Sequence, residues 1–557
     1  MSSLNKVILL GIDGATPGLL LPWAREGKLP NLARVLADGT HGTLQSTLPP
    51  YSASAWVSMM TGRHPSKHGV LDFFSQEAGP GRHEFISSAT VRGEAIWHTL
   101  GRHGISTGMV NIPLTYPPSA VNGYMVSGFM TPKGRQDYTY PNELREEIIG
   151  VTGEYDPDPW DLMAPEQDLQ SFLHWMRITE KVAIHLHDHH RVAFYSSVIQ
   201  ALDQLQHGFW DVLADERAHS TAAGSRAWPA LQECFALMDQ AIGQRLSWMD
   251  ANTTLFLASD HGFQPARRWF FVNRWLRQQG LLQTMTGQRT LGQSLAARLG
   301  ISRESVRRLV QRMDPFGLRR VLGRFARASI ADKLDDSLSL PVDWARSRAY
   351  SGSRTSEGIY INMIGREPNG IVKAGSEYEE LRTQIVRALQ DFVDEDTGQT
   401  VVSGAFRRDE VYPSGEFVSQ LPDILLAFED KPYLVNESTS PGPITAPILG
   451  GDLTGRHHPM GLFAAVGSSI RGNYTVQDAR IVDVMPTILY AMGLPIPKDC
   501  DGRVLEEIFT PEYRRTHTVV CEETEHALDA TEDRGGAYTE SEEAEMQRRL
   551  RALGYMD

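Results

Sequence analysis

The sequence predicts a doubly wound α/β fold, in which helices flank a mostly parallel sheet and further segments are inserted as caps. Four short apolar runs support this prediction, at residues 7–10, 192–195, 254–258 and 462–466. Their length and continuous apolar character are typical of strands buried on both faces of a parallel sheet. Helical segments alternate with these runs, as they do in βαβ units.

The runs divide the chain into a core and inserted segments. Irregular Pro, Gly and Trp residues mark one insertion, and arginine-rich amphipathic helices mark a second. A strand, a turn and a helix follow the second insertion, between about residues 358 and 392. The predicted units are a core at 1–75, 190–265 and 345–521, an insertion or cap at 76–189, a helical arginine-rich insertion at 266–344, and an acidic, partly helical tail at 522–557.

The composition excludes several classes of protein. The net charge of -14 argues against a general nucleic-acid binder, which usually carries a basic surface. Three widely separated cysteines favour neither a disulfide framework nor a thiolate zinc site. The N-terminal apolar run is shorter than a signal peptide needs, and no run is long enough to span a membrane. We therefore expect a cytoplasmic protein, and a homo-oligomer stays open as an alternative to a monomer.

Asp13 follows the first apolar run, between Gly11 and Gly14. The carboxyl end of a buried strand is where open α/β sheets bind ligands. The alternative is that Asp13 caps the next helix.

Ser52 follows a loop stiffened by Pro49 and Pro50. The next residues suit a helix that stops at Gly62, so Ser52 would lie at a helix N-terminus, where free N–H groups favour anions. Ser52 is therefore a candidate nucleophile. The alternatives are that Ser52 only caps the helix and that Ser54 is the nucleophile.

The remaining candidates pair carboxylates with imidazoles. Asp203 and His207 are four residues apart, which places both on one face of a helix, although an ordinary surface pair has the same spacing. Asp260 and His261 end an apolar run before a turn at Gly262, and His457 precedes the last run.

Together these residues provide three carboxylates, three imidazoles and a hydroxyl. This donor set suits Zn²⁺ or Mn²⁺ better than Ca²⁺, which prefers oxygen ligands only.

Three longer motifs accompany these residues, namely Thr-Gly-Arg-His-Pro-Ser-Lys-His-Gly at 61–69, Ser-Asp-His-Gly at 259–262, and Asp-Val-Met-Pro-Thr-Ile-Leu at 483–489. With them the sequence resembles the alkaline phosphatase superfamily, and within it the type I phosphodiesterase/nucleotide pyrophosphatase branch. The resemblance implies an alkaline phosphatase-like fold and two divalent metal ions, with Zn²⁺ favoured over Mn²⁺. One ion would be held by Asp203, His207 and His457, and the other by Asp13, Asp260, His261 and the Ser52 oxygen.

The resemblance also implies a reaction. Ser52 would attack phosphorus in line, and water would hydrolyse the phosphoserine intermediate. The family position matched by His68 is structural. A phosphate-ester small molecule is the expected substrate, with a phosphodiester or nucleotide pyrophosphate favoured, and we expect no stable binding of nucleic acid.

One departure from the family pattern leaves the substrate class open. Ala55 stands where the family has an asparagine that binds a phosphoryl oxygen. A phosphomonoesterase, phosphonate hydrolase or phosphotransferase is therefore an alternative, as is a binding protein that kept the fold without turnover. Ala53, Trp56 and Phe73 are candidate substrate contacts, although core packing is commoner for such aromatic residues.

Two histidine- and arginine-rich stretches are interpreted conservatively. The histidines within 185–190 lack a defined metal-binding geometry, so we expect surface or hydrogen-bonding roles. The arginines between 303 and 327 predict a solvated helix face, with attraction of a polyanionic substrate or an anionic lipid surface as the alternative.

Overall fold

The computed structural model describes residues 5–74, 85–159, 165–221, 224–285, 339–353, 355–448, 453–523 and 538–552. The arginine-rich stretch between 303 and 327 lies outside these residues. Along the described chain the strands are β1 (Lys6–Ile12), β2 (Thr40–Gln45), β3 (Thr107–Ile112), β4 (Gly123–Ser127), β5 (Thr139–Tyr140), β6 (Phe194–Ile199), β7 (Thr253–Ala258), β8 (Gly262–Pro265), β9 (Arg268–Phe271), β10 (Ala349–Tyr350), β11 (Gly358–Ile361), β12 (Gly404–Arg407), β13 (Ile424–Ala427), β14 (Tyr433–Asn436), β15 (Thr445–Pro447), β16 (Gly455–His458), β17 (Met460–Val466), β18 (Tyr474–Thr475), β19 (Ala479–Arg480), β20 (Ile496–Pro497) and β21 (Cys521–Glu522).

The α-helices of the same residues are α1 (Pro17–Arg25), α2 (Pro30–Asp38), α3 (Ser52–Thr61), α4 (Pro65–His68), α5 (Ile96–Arg102), α6 (Leu144–Thr152), α7 (Pro165–His189), α8 (Ala201–Ala214), α9 (Gly224–Ser247), α10 (Val272–Gln278), α11 (Ser376–Gln390), α12 (Arg408–Val411), α13 (Val484–Ala491), α14 (Pro511–Thr516) and α15 (Glu540–Ala552). Short 3₁₀ helices occupy Glu216–Ser220, Val418–Gln420, Ile481–Asp483 and Glu506–Ile508. None of the described helices is both long and apolar enough to span a membrane.

A ten-stranded sheet forms the centre of the molecule, in the order β18-β2-β17-β7-β1-β6-β3-β4-β5, with β19 also paired to β2. The five consecutive strands from β7 to β4 are parallel. β17 lies antiparallel between β7 and β2, and β5 lies antiparallel to β4. The predicted mostly parallel α/β sheet is confirmed, and each of the four apolar runs contributes residues to it.

Both faces of the sheet are covered. Alternate residues of β1 point into different cores, with Leu10 in one and Leu9 in the other. Helices α1, α2, α7, α8 and α9 contribute to the first core, and α5 and α13 contribute to the second. Burial on both faces explains why the strand sequences are continuously apolar rather than alternating.

Part of the segment predicted as an insertion belongs to the central sheet. Strands β3, β4 and β5 lie within residues 76–189 and extend the sheet beyond β6. Strand β3 is fully buried, yet its sequence, TGMVNI, includes a glycine, a threonine and an asparagine. The polar residues interrupt the apolar run that would have identified the strand. The other domain boundaries stay predictions.

A smaller core lies beside the main one. Strands β10, β11, β13 and β12 form a four-stranded sheet, against which α11 and residues of α10 pack. This unit contains the predicted strand, turn and helix between residues 358 and 392. The C-terminal helix α15 also follows the prediction, and its Met546 and Leu550 are buried in the first core.

Candidate active site

The sheet topology brings the candidate residues together. Gly11 near the end of β1 lies beside Val198 of β6 and Ala258 of β7, so the carboxyl ends of these three parallel strands meet at one edge. Open α/β sheets bind ligands at such an edge. The residues placed there are Asp13 after β1, Asp203 and His207 on α8 after β6, and Asp260 and His261 after β7.

His457 reaches the same place by a different route. It lies on β16, which pairs with β8 so that His457 is beside Phe263. Strand β8 directly follows Asp260 and His261. This antiparallel pairing therefore places His457 at the carboxyl edge of the sheet.

The first group consists of Asp203, His207 and His457. Asp203 Oδ1 lies 3.1 Å from His457 Nε2 and 3.5 Å from His207 Nε2. The two Nε2 atoms are 3.0 Å apart. Three ligand atoms of this group therefore converge on one point.

The second group surrounds His261. Its Nε2 lies 3.1 Å from Ser52 Oγ, 3.2 Å from Asp260 Oδ2 and 3.6 Å from Asp13 Oδ1. The same atom is 3.7 Å from Asp203 Oδ1, so the two groups adjoin. His261 therefore belongs to two sets of residues that could hold a metal ion, one with Asp203 and His457 and the other with Asp13 and Asp260.

A backbone carbonyl fixes the orientation of each of the three imidazole rings. In each ring Nδ1 donates to a carbonyl oxygen, which leaves Nε2 with its lone pair directed into the site. The acceptors are Gly455 for His207 at 3.3 Å, Gly262 for His261 at 3.1 Å, and Pro50 for His457 at 2.8 Å.

Burial controls the charge of these groups. It raises the pKa of Asp13 well above its usual value, and the neighbouring carboxylates of Asp260 and Asp203 raise it further. Burial also raises the pKa of Asp260. In the opposite sense, burial lowers the pKa of His207 to about 4 and lowers that of His457. The imidazoles of His207 and His457 are thus neutral, which is the form that binds metal.

The arrangement fits divalent cations. Asp13 Oδ1 and Asp260 Oδ2 are buried and have no hydrogen-bond partner within the described part of the chain. The lone pairs of His207 and His457 face each other across 3.0 Å. Buried oxygens and opposed lone pairs of this kind are stabilised when a cation lies between them. The mixed nitrogen and oxygen donors suit Zn²⁺ or Mn²⁺.

Ser52 is the first residue of α3, which ends at Gly62 with φ +66°. The N-cap position of α3 is Tyr51 rather than Ser52, and the Ser52 hydroxyl lies 3.1 Å from His261 Nε2. Ser54 instead donates to the Tyr51 carbonyl at 3.1 Å and lies 2.9 Å from Thr47 Oγ1. Of the two candidate nucleophiles, only Ser52 is in contact with the proposed metal ligands.

This geometry agrees with comparisons to known proteins. The model of the type I phosphodiesterase/nucleotide pyrophosphatase family matches residues 7–458. The chain belongs to this family. The family is one of metal-dependent hydrolases.

Among curated relatives, venom phosphodiesterase 2 of Crotalus adamanteus is 27% identical over 108 residues. Venom phosphodiesterase CdcPDE of Crotalus durissus collilineatus has the same identity over the same length. Each match covers 18% of this chain and 13% of the relative.

Two solved structures also align with the chain. Murine ectonucleotide pyrophosphatase/phosphodiesterase 5, in an inactive form in complex with AMP, has a TM-score of 0.45 and 13% identity. The human protein of the same name has a TM-score of 0.43 and 11% identity. Each alignment covers 91% of this chain and 100% of the solved chain.

Trp56 and Phe73, predicted as substrate contacts of this phosphodiesterase family member, are buried in its core. Phe73 is fully buried and packs edge-on against Phe129. Trp56 is fully buried and its Nε1 donates to Asp13 Oδ2 at 3.0 Å. The prediction for both side chains is therefore wrong in this structure, because proximity in sequence to Ser52 did not determine which way the rings point.

Ala53 is buried in the first turn of α3. An N–H group at this position has no acceptor within the helix, so Ala53 can offer its backbone to a phosphoryl oxygen. Its methyl group carries no polar function. Ala53 stays a candidate contact through the main chain only.

His68 and the histidines at 185 and 190 make hydrogen bonds or polar contacts within the protein. His68 is buried, with its Nε2 2.8 Å from Ser58 Oγ, and its Nδ1 accepts from the Val70 N–H. Within the 185–190 stretch, His185 and His190 contact Glu147 at 2.7 and 2.9 Å. These contacts fit the hydrogen-bonding roles expected.

Sequence patterns missed a buried ion pair beside the site. Glu357 Oε1 lies 2.7 Å from Arg456 Nη2, and both side chains are buried. A cavity of about 220 Å³ adjoins this pair and is lined also by Pro50, Gln264 and His457. The only available signal was the position of Arg456 next to His457, since Glu357 lies about 100 residues away in the sequence.

Proposed function

We propose that this family member is a two-metal phosphodiesterase that forms a phosphoserine intermediate on Ser52. One observation carries the proposal, namely the convergence of three carboxylates and three Nε2 atoms next to the Ser52 hydroxyl. The Nε2 atoms of His207 and His457 lie 3.0 Å apart, while the Nδ1 atom of each ring donates to a backbone carbonyl. Their arrangement supports cation binding as the purpose of the site.

The residues would hold two cations. Asp203, His207 and His457 would bind one, and Asp13, Asp260, His261 and the Ser52 oxygen would bind the other. When bound, divalent cations would act as Lewis acids that lower the pKa of a hydroxyl and stabilise charge on the phosphoryl group. Zn²⁺ is the proposed ion and Mn²⁺ the alternative.

Ser52 is the proposed nucleophile. A bond forms between Ser52 Oγ and phosphorus while the bond from phosphorus to the leaving oxygen breaks. The leaving alcohol departs with a proton, and water then cleaves the phosphoserine and restores the hydroxyl. The N-terminus of α3, where Ala53 lies, offers backbone N–H groups and a positive dipole end to the phosphoryl oxygens.

A phosphomonoesterase on the same core is a second candidate, favoured by Ala55. The methyl group of this buried residue cannot donate a hydrogen bond to a phosphoryl oxygen. The contact that the family assigns to an asparagine would therefore come from backbone N–H groups, a metal ion or a residue of an insertion. Monoester and diester substrates differ in the charge that such a contact would stabilise.

Hydrolysis of bis-p-nitrophenyl phosphate against p-nitrophenyl phosphate separates these activities. We expect faster hydrolysis of the diester in the presence of Zn²⁺ or Mn²⁺, and loss of activity with a chelator. Preference for the monoester would indicate a phosphomonoesterase rather than a phosphodiesterase. Failure to hydrolyse either ester with metal bound would contradict the proposal and favour a non-catalytic role.

Other properties also stay predictions. The proposed substrate is a small phosphate ester, without stable binding of nucleic acid. Cytoplasmic location can be tested by cell fractionation. The choice between monomer and homo-oligomer can be tested by sedimentation.

A further inference from the structure

We propose that Glu357 and Arg456 act as a positioning pair, which fixes the Ser52 loop against the strand that carries His457. The inference rests on the proposed function. Neither side chain is assigned contact with substrate or metal. Their effect on the reaction would be transmitted through Tyr51 and through the backbone of β16.

Glu357 joins the residue that precedes the proposed nucleophile to the residue that precedes a proposed metal ligand. Tyr51, next to Ser52, donates its hydroxyl to Glu357 Oε1 at 3.2 Å. Arg456, next to His457, donates to the same oxygen at 2.7 Å. One carboxylate oxygen therefore connects two parts of the site that are about 400 residues apart in sequence.

Further contacts fix both members of the pair. The Glu357 carbonyl accepts from the Leu426 N–H at 2.8 Å, which ties it to β13. Arg456 donates to the Tyr433 carbonyl, and its guanidinium lies 4.7 Å from the centre of the Phe428 ring. Residues of the smaller core therefore hold both members of the pair beside the candidate active site of the larger core.

The local structure at Glu357 supports a specific role. Its φ is +37°, in a region that residues other than glycine rarely adopt. Strained backbone of this kind persists where the surroundings determine it, and it is common near functional sites. Glu357 is 1% and Arg456 3% exposed, so solvent cannot replace either partner when the other is removed.

The two catalytic elements also touch directly. The ring centres of Tyr51 and His457 are 5.2 Å apart, and the Pro50 carbonyl accepts from His457 Nδ1. A shift of the Tyr51 loop would therefore move Ser52 and loosen the orientation of His457 together. Loss of residues that support metal ligands typically costs about 10–100-fold in metal affinity or activity.

Glu357→Gln is the first test, because it removes the charge but keeps the size and an acceptor for Tyr51. We expect kcat for the ester that the wild type hydrolyses to fall about 10–100-fold, with a much smaller change in KM. We also expect faster release of one Zn²⁺ per chain to a chelator. The matched control is Asp158→Asn, since Asp158 and its partner Arg549 are 1% and 7% exposed and also form a buried pair.

The controls separate positioning from general stability. Asp158→Asn should change the free energy of unfolding but leave kcat and Zn²⁺ release near wild type. The positioning role is wrong if Glu357→Gln keeps wild-type kcat and Zn²⁺ release, or if Asp158→Asn changes kcat and Zn²⁺ release as much as Glu357→Gln does.

If Glu357→Gln fails to fold, Tyr51→Phe is the alternative test, because it removes only the hydroxyl contact. We expect this variant also to lower kcat. Unchanged kcat and Zn²⁺ release in Tyr51→Phe would overturn the inference.

Failure of the proposed function gives a different result. A wild-type protein that binds Zn²⁺ but hydrolyses neither ester would contradict the phosphodiesterase proposal. In that case the rate of Zn²⁺ release is the measurement that tests the positioning role of Glu357 and Arg456. Faster release from Glu357→Gln than from Asp158→Asn supports the pair, and equal release from the two variants contradicts it.

Discussion

The indole Nε1 of Trp56 donates a hydrogen bond to Asp13 Oδ2 at 3.0 Å, and this bond orients the carboxylate that ends β1. The ring reaches Asp13 because residue 11 is glycine. A Cβ at Gly11 would lie 2.4 Å from a Trp56 ring carbon. The second carboxylate oxygen, Asp13 Oδ1, is thereby directed toward His261.

Trp56→Phe should weaken metal binding by about 10–100-fold, because it removes the donor that orients Asp13 while a ring still fills most of the space. Isothermal titration with Zn²⁺ would measure this change. Trp97→Phe is the matched control, since Trp97 is buried and its Nε1 has no hydrogen-bond partner among the described residues. Equal Zn²⁺ affinities in the two variants would show that the bond to Asp13 has no role in binding.

Ser52→Ala should abolish turnover, with a loss of about 10³-fold or more, because the attacking oxygen is removed. Most of the metal should remain bound, since the carboxylates and imidazoles are unchanged. The measurement is the rate of ester hydrolysis together with metal content by mass spectrometry. Ser54→Ala should retain activity, because Ser54 bonds to Tyr51 and Thr47 instead; a wild-type rate for Ser52→Ala would assign the attack to another group.

His457→Ala should lower the zinc content from about two ions to about one per chain, because one group loses a ligand from a small set. His458→Ala is the neighbouring control. In the structure His458 Nδ1 accepts from the Met460 N–H, and its Nε2 faces Asp430 at 3.8 Å. Adjacent strand residues point to opposite sides, so this substitution should leave zinc content unchanged. Equal zinc content in the two variants would contradict the assignment of His457.

Asp158 lies outside the candidate metal site, and its raised pKa makes the stability of the folded protein depend on pH. Burial raises its pKa to about 6, although Arg549 lowers it. The unfolded value is about 3.9, so between these values the folded state holds the proton more tightly. The resulting stabilisation is complete below about pH 4 and is lost as the pH rises through about 6.

Urea unfolding of wild type and Asp158→Asn between pH 4 and 7 would measure this contribution. Relative to the variant, the wild type should lose about 2–3 kcal/mol of unfolding free energy over this range, because asparagine does not titrate. Parallel stability curves for the two proteins would show that the pKa of Asp158 is not raised.

Local sequence patterns were sufficient for much of the candidate site. The apolar runs predicted four strands of the sheet, and the polar residues after three of them predicted where Asp13, Asp203 and Asp260 would meet. The spacing of Asp203 and His207 predicted a shared helical face, and Gly62 predicted the end of α3. These signals are short in range, since they depend on strand burial, helical periodicity and turn preference.

Tertiary structure alone decided how these residues are held. It directed Trp56 to Asp13 rather than to a substrate, joined β3 to the sheet despite its polar residues, and placed Glu357 against Arg456. It also supplied the Pro50 and Gly455 carbonyls that orient His457 and His207. Contacts of this kind join residues far apart in the chain, so no spacing or periodicity encodes them, and they follow only from how the packed elements are aligned.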